Sequence, residues 1–171
     1  MKNIILKRLT SKNISKDYLN WLNDWDITKF TEQRFKKTTI KDIKKYIYDV
    51  NRSKNNFLYS INIIEKNKTK HIGNIKIGSI DFYHKRGEIS YIIGNKNYWN
   101  KNIGSRAIAK AIIIARKKFK IKKIIAGVYS INRSSIAVLK KNKFKKEAKL
   151  KSHIVFDGRR YTSYIYGRIL K

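Results

Sequence analysis

The stretch NYWNKNIGSRAIAKAIII, residues 97–114, joins an aromatic pair to a polar run ending in Gly104 and Ser105, then passes without a breaker into an apolar-periodic segment. The periodic part predicts a helix over about residues 105–119. Its polar lead-in lies at the helix start, where backbone N–H groups point outward unpaired and the helix dipole favours negative charge. Asn100, Asn102 and Gly104 are residue types that tolerate left-handed or close-approach backbone, Lys101 adds a cation and Ser105 a hydroxyl. Two readings stand side by side: a cradle for a phosphorylated ligand, or a polar loop before an ordinary helix. The absence of G-x-x-x-x-G-K-[ST] removes an ATP-type phosphate loop, and the absence of G-x-G-x-x-G removes a dinucleotide fold.

On either side of this stretch the period of the apolar residues switches. NIILKRL (residues 3–9) reads as a strand, SKDYLNWLND (15–24) as a helix with Ser15 available as N-cap, and TTIKDIKKYIYDVNR (38–52) as a second helix. That second helix has Ile40, Ile43, Ile47 and Val50 on one face and Thr38 or Thr39 as its cap. FLYSINIIEKN (57–67) and KHIGNIKIGSI (70–80) alternate at period two around the polar turn EKNKTK (65–70), a hairpin signal. RGEISYIIG (86–94) is a fourth strand and KKIIAGVYS (122–130) a fifth. NRSSIAVLKKNKF (132–144) is a helix, and RRYTSYIYGRIL (159–170) closes the chain as a strand. The order β-α-α-β-β-β-α-β-α-β-β predicts an α/β domain of the α+β type, with antiparallel hairpins in the first half and parallel neighbours in the second.

A chain of 171 residues fits one domain, taken as residues 1–171, and no linker, repeat or low-complexity tract divides it. With no cysteine, disulfides, thiolate metal sites and Cys nucleophiles are excluded, and His71, His84 and His153 lack metal-ligand spacing, so no metal is expected. The N-terminus does not read as a signal peptide, and no apolar run approaches the roughly 20 residues of a membrane span, so a cytoplasmic location is expected. The 42 Lys and Arg against 11 Asp and Glu give a net charge of +31. An anionic partner explains it functionally. Codon drift in an AT-rich genome explains it too, since Lys outnumbers Arg, Ile and Asn are heavily used, and the lysines spread over the whole chain. Either way the field draws anions and repels polycations. No RNP, KH or helix-turn-helix signature accompanies the charge, so nucleic acid is expected to bind only non-specifically.

Three motifs in order carry a resemblance. YWNKNIGSRA (98–107) is similar to the Y-W-G-x-G-x-A/G-[ST]-E-A form of motif A, with Asn100 and Asn102 at usual glycines and Arg106 at the usual Glu. NRSSIAVLKKNKF is similar to N-x-x-S-x-x-[LV]-[LY]-x-K-x-G-F, with Lys143 at the usual glycine, and YLNWLNDWDITKFTEQR (18–34) is similar to Y-L-x-W-L-N-D-P-E-V. Together they identify the chain as resembling the GNAT superfamily of acetyl-CoA-dependent N-acyltransferases, in the branch of the ribosomal-protein N-terminal acetyltransferases. The resemblance implies the GNAT fold: a central mixed, mostly antiparallel twisted sheet flanked by helices.

It also implies a site. Acetyl-CoA is expected on Trp99, Asn100, Lys101, Asn102, Ile103, Gly104 and Ser105, with Asn132, Ser135 and Lys141. A backbone N–H of the splayed fourth strand, at Ile92 or Ile93, would stabilise the oxyanion. Glu88 is implied as general base through water, and Ser135 lies near the sulfur. The family's usual Tyr on the last helix is Leu139 here, so the general acid has no motif candidate. Trp25, Asp26, Glu32 and Arg34, with Tyr164 and Tyr166, lie where the family binds its acceptor. That acceptor is expected to be a small anionic amine, foremost a nucleotide-linked amino sugar, then a protein N-terminus, and the protein a monomer or homodimer.

Overall fold

Period-two alternation makes strands by giving each a face to bury, and seven such strands pair into one sheet in the computed structural model, which describes residues 3–65 and 68–171. They are β1 (Asn3–Arg8), β2 (Phe57–Glu65), β3 (Lys68–Asp81), β4 (Arg86–Ile93), β5 (Lys123–Tyr129), β6 (Lys145–Phe156) and β7 (Arg159–Ile169). The spatial order is β1-β2-β3-β4-β5-β7-β6, antiparallel at every pairing except β4 with β5. Parallel pairing in the second half is thus confined to one contact, because β7 returns antiparallel between β5 and β6. The turn at residues 65–70 lies partly outside the described residues.

Helices cover both faces of the sheet. On one side α4 (Ile103–Phe119) and α5 (Arg133–Lys141) bury Ala107, Ile108, Ala111 and Leu139 against Ile61, Ile75, Ile77 and Ile89. On the other, α1 (Lys16–Leu22) and α3 (Ile40–Arg52) pack Tyr18, Trp21, Ile43, Ile47 and Val50 over Leu58 and Ile92. A one-turn helix α2 (Trp25–Thr28), not expected from the sequence, leads into the front loop. The caps follow local chemistry. Ser15 accepts from the Tyr18 N–H, and Thr39 forms a capping box with Asp42.

Glycine is scarce, and other residues take its conformations. Asn100, Asn102 and Lys143, all at positions where the motifs usually carry glycine, have φ of 57°, 59° and 61°. Asn accepts this region readily, whereas a Lys there carries the Cβ penalty. Lys143 nevertheless ends α5 as glycine would, its N–H bonding Lys140 O while the Phe144 N–H bonds Leu139 O. Lys143→Gly is therefore expected to raise stability by about 1 kcal/mol, after the added freedom of the unfolded chain is subtracted. A urea midpoint that stays put or falls would contradict the strain.

Candidate active site

The start of α4 is bare. Its N-cap, Asn102, is left-handed and makes no side-chain cap bond, whereas Ser15, Asp24, Thr39 and Asn132 cap α1, α2, α3 and α5. The first backbone bond of α4 runs from Arg106 N–H to Asn102 O at 3.2 Å, so the N–H groups of Ile103, Gly104 and Ser105 have no partner among the described residues. Three convergent donors at a helix N-terminus suit an anion. Ser105 differs from expectation in one respect: its buried hydroxyl accepts from Asn142 Nδ2 at 2.9 Å, fastening α4 to the end of α5, so only its backbone faces a ligand. Lys101 is exposed beside this turn.

Next to it the sheet opens. β4 pairs with β3 along its whole length, but with β5 only through Arg86, Gly87 and Glu88 opposite Lys123, Ile124 and Ile125. Beyond Ile125, β5 follows β7 alone. Gly94 and Asn95 both donate their N–H to Ile72 O. Alternate residues of an antiparallel strand face the same neighbour, so Ile92, like Gly94, turns its backbone toward β3, while Tyr91 and Ile93 turn theirs into the gap. Of the two residues the sequence offers as oxyanion donor, Ile93 therefore has the geometry. Its carbonyl is already held by the Trp99 indole, Nε1 to O 2.8 Å, which closes the outer end of the gap.

Tyr91, which the motifs do not signal, joins the three elements around this gap. Its hydroxyl lies 3.1 Å from Ser135 Oγ, and its ring packs so closely on Gly104 that a Cβ there would sit 3.0 Å from it. Burial raises its pKa. Ser135 is thereby brought to the gap, while Leu139 is buried and Lys141 exposed. Asn132 caps α5, its Oδ1 accepting from the Ser135 N–H at 3.1 Å and from Ser134 Oγ.

Glu88 is exposed on the opposite face of β4, the face of Ser90 and Ile92, about 13 Å along the strand from Ile92. The front loop separates two clefts there. An inner one of about 300 Å³ lies between α1, α3 and the sheet, with Ser90 and Ile92 in its lining. An outer one of about 490 Å³ lies toward the β6–β7 hairpin, and Trp25, Glu32 and Arg34 line it. Arg34 Nη1 donates to Tyr129 Oη at 3.0 Å, and Tyr129 in turn donates to Glu32, which ties the front loop to the end of β5. Burial and the Glu32 bond raise the Tyr129 pKa. Asp26 stands outside both clefts: Lys96 bridges it to Asp24 at 2.8 Å, and Lys96 with Lys29 lowers its pKa. Tyr164 is half-buried under Lys146, and Tyr166 is only 2% exposed in the core, so Tyr166 has no face left for an acceptor. No cluster of metal-binding side chains occurs among the described residues.

Comparison with known proteins places this geometry. The acetyltransferase (GNAT) domain model matches residues 3–145. An uncharacterized N-acetyltransferase, p20 of Bacillus licheniformis, is 32% identical over 104 residues, which are 61% of this chain and 58% of that protein's length. The spermidine N-acetyltransferase of Vibrio cholerae, solved with CoA and spermine, shares the fold at TM-score 0.86 and 15% identity, over 97% of this chain and 95% of that one. The microcin C7 self-immunity acetyltransferase MccE, solved with acetyl-CoA and AMP, does so at TM-score 0.80 and 23% identity, over 98% and 92%.

The strand end beside the gap also rests on a titratable packing. A Cβ on Gly94 would lie 2.0 Å from the Trp21 ring, and Trp21 meets the His71 ring edge-on at 5.0 Å. Burial lowers the His71 pKa below 6.5, against the opposing pull of its bonds to Asn74 and Gly73 O. A lowered histidine contributes stability above its unfolded value, and that contribution falls away as pH drops below about 6.5 toward the folded value. Denaturation midpoints at pH 7.5 and 5.5 are expected to differ less in His71→Gln than in the wild type. An equal difference would remove His71 as the cause.

Proposed function

Since the chain belongs to the GNAT acetyltransferase family, we propose that it is an acetyl-CoA-dependent N-acetyltransferase acting on a primary amine. The observation that carries this reading is the pairing of three unpartnered N–H groups at the start of α4 with an open β4 edge beside them. A pyrophosphate suits the first, and an extended amide-bearing arm suits the second. The residues present fit CoA on those two counts. Acetyl-CoA would supply a thioester to be cleaved by the amine. Ile103, Gly104 and Ser105 would hold its phosphates through their N–H groups, with Asn100 and Asn102 shaping the turn. The Ile93 N–H would face the carbonyl oxygen as it gains charge. Glu88 would take the amine proton through water along the face it shares with Ser90, and Ser135, held by Tyr91, would give a proton to the departing sulfur.

For the acceptor we favour a nucleotide-linked amino sugar, in a cytoplasmic enzyme. Support comes from the net charge of +31, which draws a diphosphate and repels a polycation, and from the exposed Trp25 of the outer cleft, an aromatic suited to a nucleobase. The similar fold of MccE, solved with AMP, fits this chemistry. An acidic peptide N-terminus is the second reading, favoured by the same charge.

Calorimetry at low salt is expected to detect acetyl-CoA binding, and folded protein that does not bind would sink the assignment. Glu88→Gln is expected to lower kcat about 100-fold with acetyl-CoA affinity unchanged, and Ser135→Ala to act more mildly. A thiol-release assay against nucleotide-linked amino sugars, peptide N-termini and polyamines decides the acceptor. Turnover confined to polyamines would overturn the charge argument.

A further inference from the structure

The inner cleft has a chemistry that the motifs do not assign. Lys36 and Lys76 line it, and one carboxylate, Asp42. One oxygen of that carboxylate is engaged: Oδ2 accepts from the Thr39 N–H at 2.8 Å and from Thr39 Oγ1 at 2.6 Å as the α3 capping box, bonds that also lower its pKa. Among the lining residues a cationic ligand would find two lysines against this single, half-engaged carboxylate.

Asn74 supplies a second, independent sign. It lines the same cleft at 4% exposure, and its Nδ2 has no hydrogen-bond partner. The orientation of this amide is set by its neighbour. His71 Nε2 lies 2.9 Å from both Gly73 O and Asn74 Oδ1. A carbonyl only accepts, so Nε2 carries the proton, and the Asn74 atom facing it is the oxygen. The amide nitrogen is left as a buried donor without an acceptor, an arrangement that is unfavourable when nothing fills it.

We propose that the inner cleft binds the amine acceptor by an anionic, oxygen-rich group, the Asn74 amide and the Lys76 and Lys36 ammonium groups fixing that group while the amine reaches the β4 edge at Ile93. The cleft thereby selects sugar-phosphate-like amines against polyamines. Acetyl transfer to the bound amine rests on the acetyltransferase reading, whereas the binding itself does not.

The test is a titration of 15N-labelled protein with glucosamine 6-phosphate, followed at the Asn74 side-chain amide. A saturable shift is expected there, with spermidine giving none. Lys76→Glu is expected to weaken the response at least tenfold, and Lys36→Glu, at an exposed position where folding is not at risk, to weaken it in the same direction. An unmoved Asn74 amide, or a spermidine response tighter than that of the phosphate, would overturn the proposal. Acetyl-CoA added to the same sample is read at the Gly104 and Ser105 backbone amides. Silence there with Asn74 responding would fell the acetyltransferase reading and leave the cleft standing, and the reverse would fell the cleft alone.

Discussion

Everything in this molecule is arranged around the short contact between β4 and β5. Two strands that share only three residue pairs, Arg86–Glu88 with Lys123–Ile125, cannot satisfy each other's backbone beyond them. β4 is committed to β3 and β5 to β7, so the strands part and leave N–H and C=O groups of β4 facing a gap inside the protein. Unpaired strand edges invite another extended chain. Here one end is closed by the Trp99 indole on Ile93 O, and one wall is built by Tyr91 and Ser135. The bare start of α4 opens beside it. These features make sense together as one slot with an anion cradle at its mouth.

The composition reaches into this geometry without dismantling it. Glycine is replaced by Asn or Lys at three motif positions, and the backbone there keeps positive φ. At Lys143 the conformation is therefore imposed by the surrounding structure rather than chosen by the residue, whereas Asn100 and Asn102 accept it readily. Asn102 gains a second property from it. A left-handed N-cap cannot aim its side chain at the helix N–H groups, and so the donors stay open. In the core on the α4 side, isoleucine dominates the face of the sheet, supplying the stiff branched side chains that pleated surfaces pack well.

What the sequence made legible is local. Ser15 and Thr39 announce their helices because a cap acts within three residues, and the left-handed Asn102 is readable because only a few residue types tolerate that backbone. The family resemblance located the α4 start, Ser135 and the front loop. It did not reach contacts between distant segments. Tyr91 with Ser135, Ser105 with Asn142 and Tyr129 with Glu32 are separated by 44, 37 and 97 residues, and nothing in the period of either partner names the other. The insertion of β7 between β5 and β6 is missed for the same reason: strand period fixes which faces are buried, not which edge is paired. Tyr166 illustrates the converse, a period-two aromatic that the core absorbs.

The central claim is that the β4 edge at Tyr91 and Ile93 is the slot for acetyl-CoA. Residue-resolved amide hydrogen exchange, with and without acetyl-CoA, tests it most directly. In free protein the Tyr91 and Ile93 amides are predicted to exchange faster than those of Ile92 and Gly94, which bond to β3, and acetyl-CoA is predicted to slow Tyr91, Ile93 and the first turn of α4. Protection of Ile92 and Gly94 alone, or binding that leaves the Tyr91 and Ile93 amides as fast as before, would contradict it.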